Sequence, residues 1–205
     1  MSQSSEGIQQ TNYTLKNPFI KALLANFINK ICDLLSAIDA SSKQGLDAGC
    51  GEGHLIGRLR LRGAVKDVVG VDAGTDYLSF AAANYHAVDY LAADLVRLPF
   101  PDNTFDYILS TEVFEHLPDP NSALIELDRV AKKDAHLIIS VPFEPFFHWG
   151  NITRGKYWNR GGYTPDHKNL WRRYGFQEFL SPVVRIENHF AFKTFPWMLW
   201  HCRFC

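Results

Sequence analysis

The chain has 205 residues, 46% of them hydrophobic, 14% aromatic and 21% charged, with a formal net charge of −1. That length and composition bound one globular domain with enough apolar surface for a real core. The near-neutral charge excludes a global basic field that would recruit nucleic acid or an anionic membrane, and no apolar run reaches the roughly 18–20 residues of a membrane span.

The opening MSQSSEGIQQTN is polar, lacks the apolar core of a secretory leader, and reads as a disordered tail over residues 1–16. A cytoplasmic location is the expectation. From Asn17 to Ile38, Phe19, Leu23, Phe27, Ile31, Leu34, Leu35 and Ile38 recur at helical spacing, and Pro18 suits a first helical turn. Strands and helices then alternate. A strand end at 45–49 precedes a helix over 53–63 closed by Gly63, then a strand at 67–72 and a helix over 75–85 opened by Thr75. Strands at 88–94 and 104–111 follow, then an amphipathic helix over 120–132 and a buried strand at 135–142. The segment 175–200 holds two apolar, β-prone runs and suggests an antiparallel hairpin at a sheet edge.

Repeated strand–helix units of this length predict an α/β fold, Rossmann-like, with a mostly parallel central sheet of about seven strands covered by helices on both faces. The C-terminal hairpin completes it. Residues 17–205 are expected to form one domain, with an aromatic, basic, lid-like insertion at about 142–173. Of the four cysteines, Cys202 and Cys205 form a lone C-x-x-C that lacks the second half of a structural zinc site. Free thiols are the expectation.

LDAGCGEGHL (46–55) carries the first chemical signal. A glycine loop after the first strand lies at the carboxyl edge of the sheet, where ligands collect and where a following helix offers unpaired N–H groups. The spacing is D-x-G-x-G-x-G (Asp47, Gly49, Gly51, Gly53). A dinucleotide fingerprint needs G-x-G-x-x-G, and counting from Gly49 or Gly51 puts His54 or Ile56 at the sixth position. No Gly-Lys-Ser/Thr follows, so a P-loop is excluded as well.

Three stretches in order, LDAGCGEGHL, VVGVDAG (68–74) and AADLVRLPFPDNTFDYILSTEVFEHLPDP (92–120), resemble class I S-adenosylmethionine-dependent methyltransferases. The branch they resemble is methyltransferase type 11, which includes the ubiquinone and menaquinone biosynthesis enzymes. The resemblance implies an enzyme with S-adenosylmethionine as cofactor. It implies that Gly49, Gly51 and Gly53, with Cys50 behind them, pack against the methionine part of the cofactor, and that Asp47 helps hold its ammonium. It assigns Asp72 and Ala73 to the ribose, Asp94 and Leu95 to the adenine, and Thr111 or Glu112 to the border of the sulfonium. A nicotinamide-type oxidoreductase on a related sheet, and a methyltransferase-like module without catalysis, are the alternatives.

In-line methyl transfer asks for alignment, exclusion of water and sometimes removal of a proton. Glu112, Glu115 and His116 share a face at i, i+3, i+4 spacing. His116 and Glu112 are the expected catalytic residues, and no metal ligand is assigned. Metal ligation, a general base at His116 and packing beside the cofactor all stay open, with His148 or His167 available to complete a site. The segment 141–176 is dense in aromatic and basic residues, suited to the apolar walls and anionic handle of a small or lipid-linked metabolite. Arg154, Tyr157, His148 and His167 are its candidate substrate contacts. The run Ser110-Thr111-Glu112-Val113 lacks the Asp/Asn-Pro-Pro-aromatic motif of base-modifying enzymes, so no DNA substrate is expected. The oligomeric state is not legible in the sequence.

Overall fold

In the computed structural model, residues 18–143, 152, 166–191 and 193–205 are described. Helix α1 (Pro18–Ala37) leads through a short 3-10 turn (Ala40–Ser42) into β1 (Gln44–Ala48). The chain continues through α2 (His54–Leu61), β2 (Asp67–Asp72), α3 (Thr75–Asn84), β3 (Asp89–Ala92), β4 (Phe105–Thr111), α4 (Pro120–Val130) and β5 (Ala131–Pro142). It ends with α5 (Arg173–Leu180), β6 (Val184–Phe190) and β7 (Trp197–Phe204).

The sheet has the order β3-β2-β1-β4-β5-β7-β6. Strands β1 to β5 pair in parallel, while β7 runs antiparallel to both β5 and β6. Period-two alternation sorts the strand side chains onto two faces. Leu46, Ile108, Leu137, Ile139, Met198 and Trp200 pack with α4 and α5, whose Leu124, Leu127, Phe176 and Leu180 are buried. Tyr107, Leu109, Ile138 and Leu199 pack on the other face with Phe27, Ile28 and Ile31 of α1 and Ile56 and Leu59 of α2. Because both faces are covered, the central strands read as continuous apolar runs rather than alternating ones.

One expectation needs correction. The first part of 175–200 is the helix α5 rather than a strand: Phe176 and Leu180, four apart, are its buried residues, and β7 runs on to Phe204. Helix α3 begins at Thr75, as expected, with Gly74 preceding it as the cap residue. The expected tail at 1–16 lies outside the described residues, as does most of the expected insertion at 142–173.

This strand order sets the site. The chain leaves β1 toward β2 on one side and leaves β4 toward β5 on the other, so the two loops diverge at the carboxyl ends of adjacent strands. That divergence opens the crevice in which doubly wound sheets bind ligands.

Candidate cofactor and acceptor site

Three backbone features build the glycine loop. Gly49, Gly51 and Gly53 all have positive φ (84°, 51° and 72°), the left-handed region that side chains with a Cβ disfavour. The N–H groups of Gly49 and Cys50 both donate to the Val71 carbonyl (2.7 and 2.9 Å), which folds the loop back over the end of β2. The crowding is severe. A Cβ on Gly49 would sit 2.4 Å from Val113 Cγ2, and one on Gly53 would sit 2.8 Å from the Tyr90 hydroxyl. The first of these contacts also shows the β1 and β4 loops touching across the crevice.

Asp72 closes β2 with a carboxylate that both neighbouring loops use. Its Oδ2 accepts from the Gly51 N–H at 2.9 Å, and its Oδ1 accepts from the Gly74 N–H at 2.8 Å. One side chain thus ties the glycine loop to the turn containing Ala73, and it remains partly exposed at the crevice. Asp47 lies deeper, 2% exposed. Burial, reinforced by the Asp72 charge, pushes its carboxyl up to about 7. Cys50 is also buried, and desolvation drives its thiol far above its ordinary value, so it fills space behind the loop and is no nucleophile. Asp94 sits in a turn, with its Oδ1 accepting from Val96 N at 3.2 Å and its carbonyl accepting from Arg97 N at 3.0 Å. Leu95 is buried beneath it. The Asp72 carbonyl accepts from Ala93 N at 3.1 Å, which sets this turn beside the end of β2.

The other wall of the crevice begins at the end of β4. Thr111 is half-buried there. Glu112 follows with φ 58°, a left-handed conformation in a residue with a full side chain. Two contacts hold it: its N–H donates to the Ser140 carbonyl (3.1 Å), and its Oε1 accepts from the Ser140 hydroxyl (3.1 Å). His116 lies four residues on. The Asp166 carbonyl, 3.1 Å from its Nδ1, fixes that nitrogen as the N–H donor and leaves Nε2 with the free lone pair. Desolvation by burial lowers its tendency to protonate, so the ring is neutral near pH 7.

The structure brings His167 to this place, with its ring centroid 5.0 Å from that of His116. The Glu115 carbonyl accepts from Lys168 N (2.8 Å) and Asn169 N (3.0 Å), and Asn169 Nδ2 donates to the carbonyls of Phe114 (3.0 Å) and Leu117 (2.7 Å). These bonds stitch the returning chain onto the 114–117 turn. His148, Arg154 and Tyr157 lie outside the described residues.

Sequence reasoning missed several contributors. Glu52 and His54 are both buried, with Glu52 Oε2 3.0 Å from His54 Nε2 and His54 Nδ1 2.8 Å from the Tyr85 hydroxyl. They brace the glycine loop against the end of α3. His54 had entered the reading only as a non-glycine at a fingerprint position. Ser110, whose hydroxyl donates to the Ala48 carbonyl at 3.0 Å, and Ser140 were also overlooked. The available signal was a small polar residue inside an otherwise apolar buried strand.

The arrangement is that of a Rossmann-like nucleotide-binding domain: a glycine turn after β1, an acid closing β2 and a polar turn after β3. The acids Asp47 and Asp72 suit a ligand that carries positive charge. Residues 46–139 match the family model described as a methyltransferase domain. The chain is 38% identical over 103 residues to the ubiquinone biosynthesis O-methyltransferase of Hahella chejuensis, covering 48% of this chain and 42% of that one. It is 35% identical over 95 residues to the malonyl-[acyl-carrier protein] O-methyltransferase of Yersinia pestis, covering 46% and 35%. The chain thus spans less than half the length of these curated relatives. A solved structure, a TehB-like methyltransferase from Corynebacterium glutamicum, shares the fold at TM-score 0.62 and 20% identity, covering 85% of this chain and 86% of that one. Residues 46–139 thus carry a methyltransferase domain similar to those of the class I S-adenosylmethionine-dependent methyltransferases of the type 11 branch.

Proposed function

We propose that this chain transfers a methyl group from S-adenosylmethionine to an O, N or C nucleophile of a small, partly apolar metabolite, anionic or lipid-linked in character. The observation that carries the reading is Asp72: one carboxylate at the end of β2 fixes the Gly51 and Gly74 N–H groups and stays accessible at the crevice. The family match to 46–139 and the acidic pair Asp47/Asp72 support the cofactor assignment.

The bound cofactor supplies a methyl group already activated on a sulfonium, so the protein supplies geometry. Gly49, Gly51 and Gly53 let the backbone approach the methionine part, and Asp47 faces its ammonium. Asp72, with Ala73, accepts from the ribose hydroxyls, while Asp94 and Leu95 flank the adenine. Thr111 borders the reacting centre. Glu112 lines the acceptor side, and the Nε2 lone pair of His116 activates the acceptor. His167, and in sequence terms His148, Arg154 and Tyr157, contact the substrate. A small-molecule substrate and no DNA is the partner reading. The four free thiols, Cys32, Cys50, Cys202 and Cys205, suit a reducing cytoplasm. The 142–173 segment is assigned to substrate enclosure within one domain over 17–205.

The experiment is calorimetry with S-adenosylmethionine, followed by incubation of the protein and methyl-labelled cofactor with fractionated cell extract and mass spectrometry of any labelled product. Failure to bind the cofactor overturns the reading. Binding with no label transferred to any fraction favours a non-catalytic module.

A further inference from the structure

We propose that Glu115, His116 and His167 form a binding site for one divalent first-row transition ion of the zinc, manganese or iron(II) class, at the acceptor end of the crevice.

The ligand atoms of these three side chains lie within 4.8 Å of one another. They come from two segments, 115–116 and 167, and the bonds from Lys168 N, Asn169 N and Asn169 Nδ2 hold those segments together. The convergence is therefore built by the fold and is not a chance meeting of surface chains. Glu115 Oε1 is 3.8 Å from His116 Nε2, close to the roughly 3.4 Å between neighbouring ligands around an ion with bonds of about 2.0–2.2 Å. Side-chain rotations of about 1 Å complete the set.

The supporting contacts are those of a metal ligand. His116 gives its Nδ1–H to the Asp166 carbonyl at 3.1 Å, which fixes the tautomer and aims Nε2 at the proposed ion. Glu115 is 1% exposed and so supplies the buried side of the cluster. Two imidazoles and one carboxylate select a borderline transition ion over magnesium, which prefers oxygen donors and bound waters. Three protein ligands leave at least one position open to water or to an acceptor oxygen.

The site itself stands apart from the methyl-transfer reading, but its catalytic use rests on that reading: with the ion bound, His116 Nε2 is a ligand and activation of the acceptor passes from the imidazole to the metal. An acceptor oxygen held at the open position loses its proton more readily. Its electron pair forms the new bond to the methyl carbon as the sulfonium–methyl bond breaks toward sulfur, and the proton passes to solvent.

The test uses the whole chain, stripped with EDTA and titrated with Co(II) at pH 7.5, reading visible absorption and stoichiometry. One Co(II) per chain, with a spectrum of nitrogen and oxygen ligation, is expected. His167→Ala, His116→Ala and Glu115→Gln should each weaken binding by about 10-fold or more, while the exposed His86→Ala leaves it unchanged. Unaltered binding in folded His167→Ala and His116→Ala, or no saturable Co(II) uptake by the parent, overturns the site. The parent spectrum decides even where a variant fails to fold. Calorimetry with S-adenosylmethionine on the same samples separates the two readings. Co(II) uptake without cofactor binding sinks methyl transfer but not the site, and cofactor binding without Co(II) uptake does the reverse.

Discussion

Replacing Asp72 with asparagine tests the cofactor site most sharply. The carboxylate accepts two backbone N–H groups, from Gly51 at 2.9 Å and Gly74 at 2.8 Å, one on each oxygen. An amide offers only one acceptor oxygen, so one of those N–H groups must face an NH2. Hydrogen bonds to a charged group contribute about 1.5–3 kcal/mol each, so the loop junction loses about that much stability. Two ribose hydroxyls on the same carboxylate would add a comparable loss apiece on binding, about 3–6 kcal/mol in all, or roughly 10²- to 10⁴-fold in Kd. Titration calorimetry measures the second quantity, and a thermal melt of the cofactor-free protein measures the first. Asp72→Ala serves as the companion variant, because it removes both acceptors without introducing a donor. If both variants remain folded and bind S-adenosylmethionine with parental affinity, Asp72 does not hold the ribose. If the melt is unchanged as well, the carboxylate does not fasten the two loops in solution.

Asp47, raised to about 7, gives a pH dependence with a definite sign. In the cofactor-free protein its neutral form is the favoured one, so its contribution to stability is complete below about 4. That contribution fades as pH rises through 7, by at most about 4 kcal/mol. A positively charged ligand beside it reverses the preference, so binding releases a proton and tightens as pH rises through about 7. Calorimetry in two buffers of different ionisation enthalpy counts that proton, and Asp47→Asn should abolish both effects. Gly49→Ala should cost about 2–5 kcal/mol, from a left-handed residue and from overlap with Val113. Adding Val113→Ala should recover only the overlap part, and a melt of the double variant showing full recovery would mean that φ is not the constraint. His116→Ala should cut single-turnover methyl transfer about 10²- to 10⁴-fold while leaving cofactor affinity within about twofold. An undiminished rate removes His116 from the chemistry.

Much of this fold could be read because its signals are local. The buried strands β2 and β4 announce themselves as DVVGVD and FDYILST, and Pro120 after Asp119 marks a helix start that the Asp119 side chain caps through Ser122 N. Helix α5 escaped because it has no such mark. Arg172 precedes it without a side-chain cap, and the β-branched Val183 and Val184 close behind it dominate the pattern. At the site, the loop positions were legible because glycine spacing and strand-end acids are sequential features. The meeting of Glu115 and His116 with His167 was not. It depends on a chain return whose hydrogen bonds join main-chain atoms, and main-chain partners leave no trace in residue type.

Glu112 shows what holding a functional group in place can require. Its backbone adopts a conformation better suited to glycine, and two Ser140 contacts help to hold it there. Selection for a tougher protein and selection for a working one therefore pull in opposite directions at this residue: Glu112→Gly should raise the melting temperature while slowing the reaction. The two readouts together separate what the carboxylate does for the fold, through its bond from the Ser140 hydroxyl, from what it does for the chemistry.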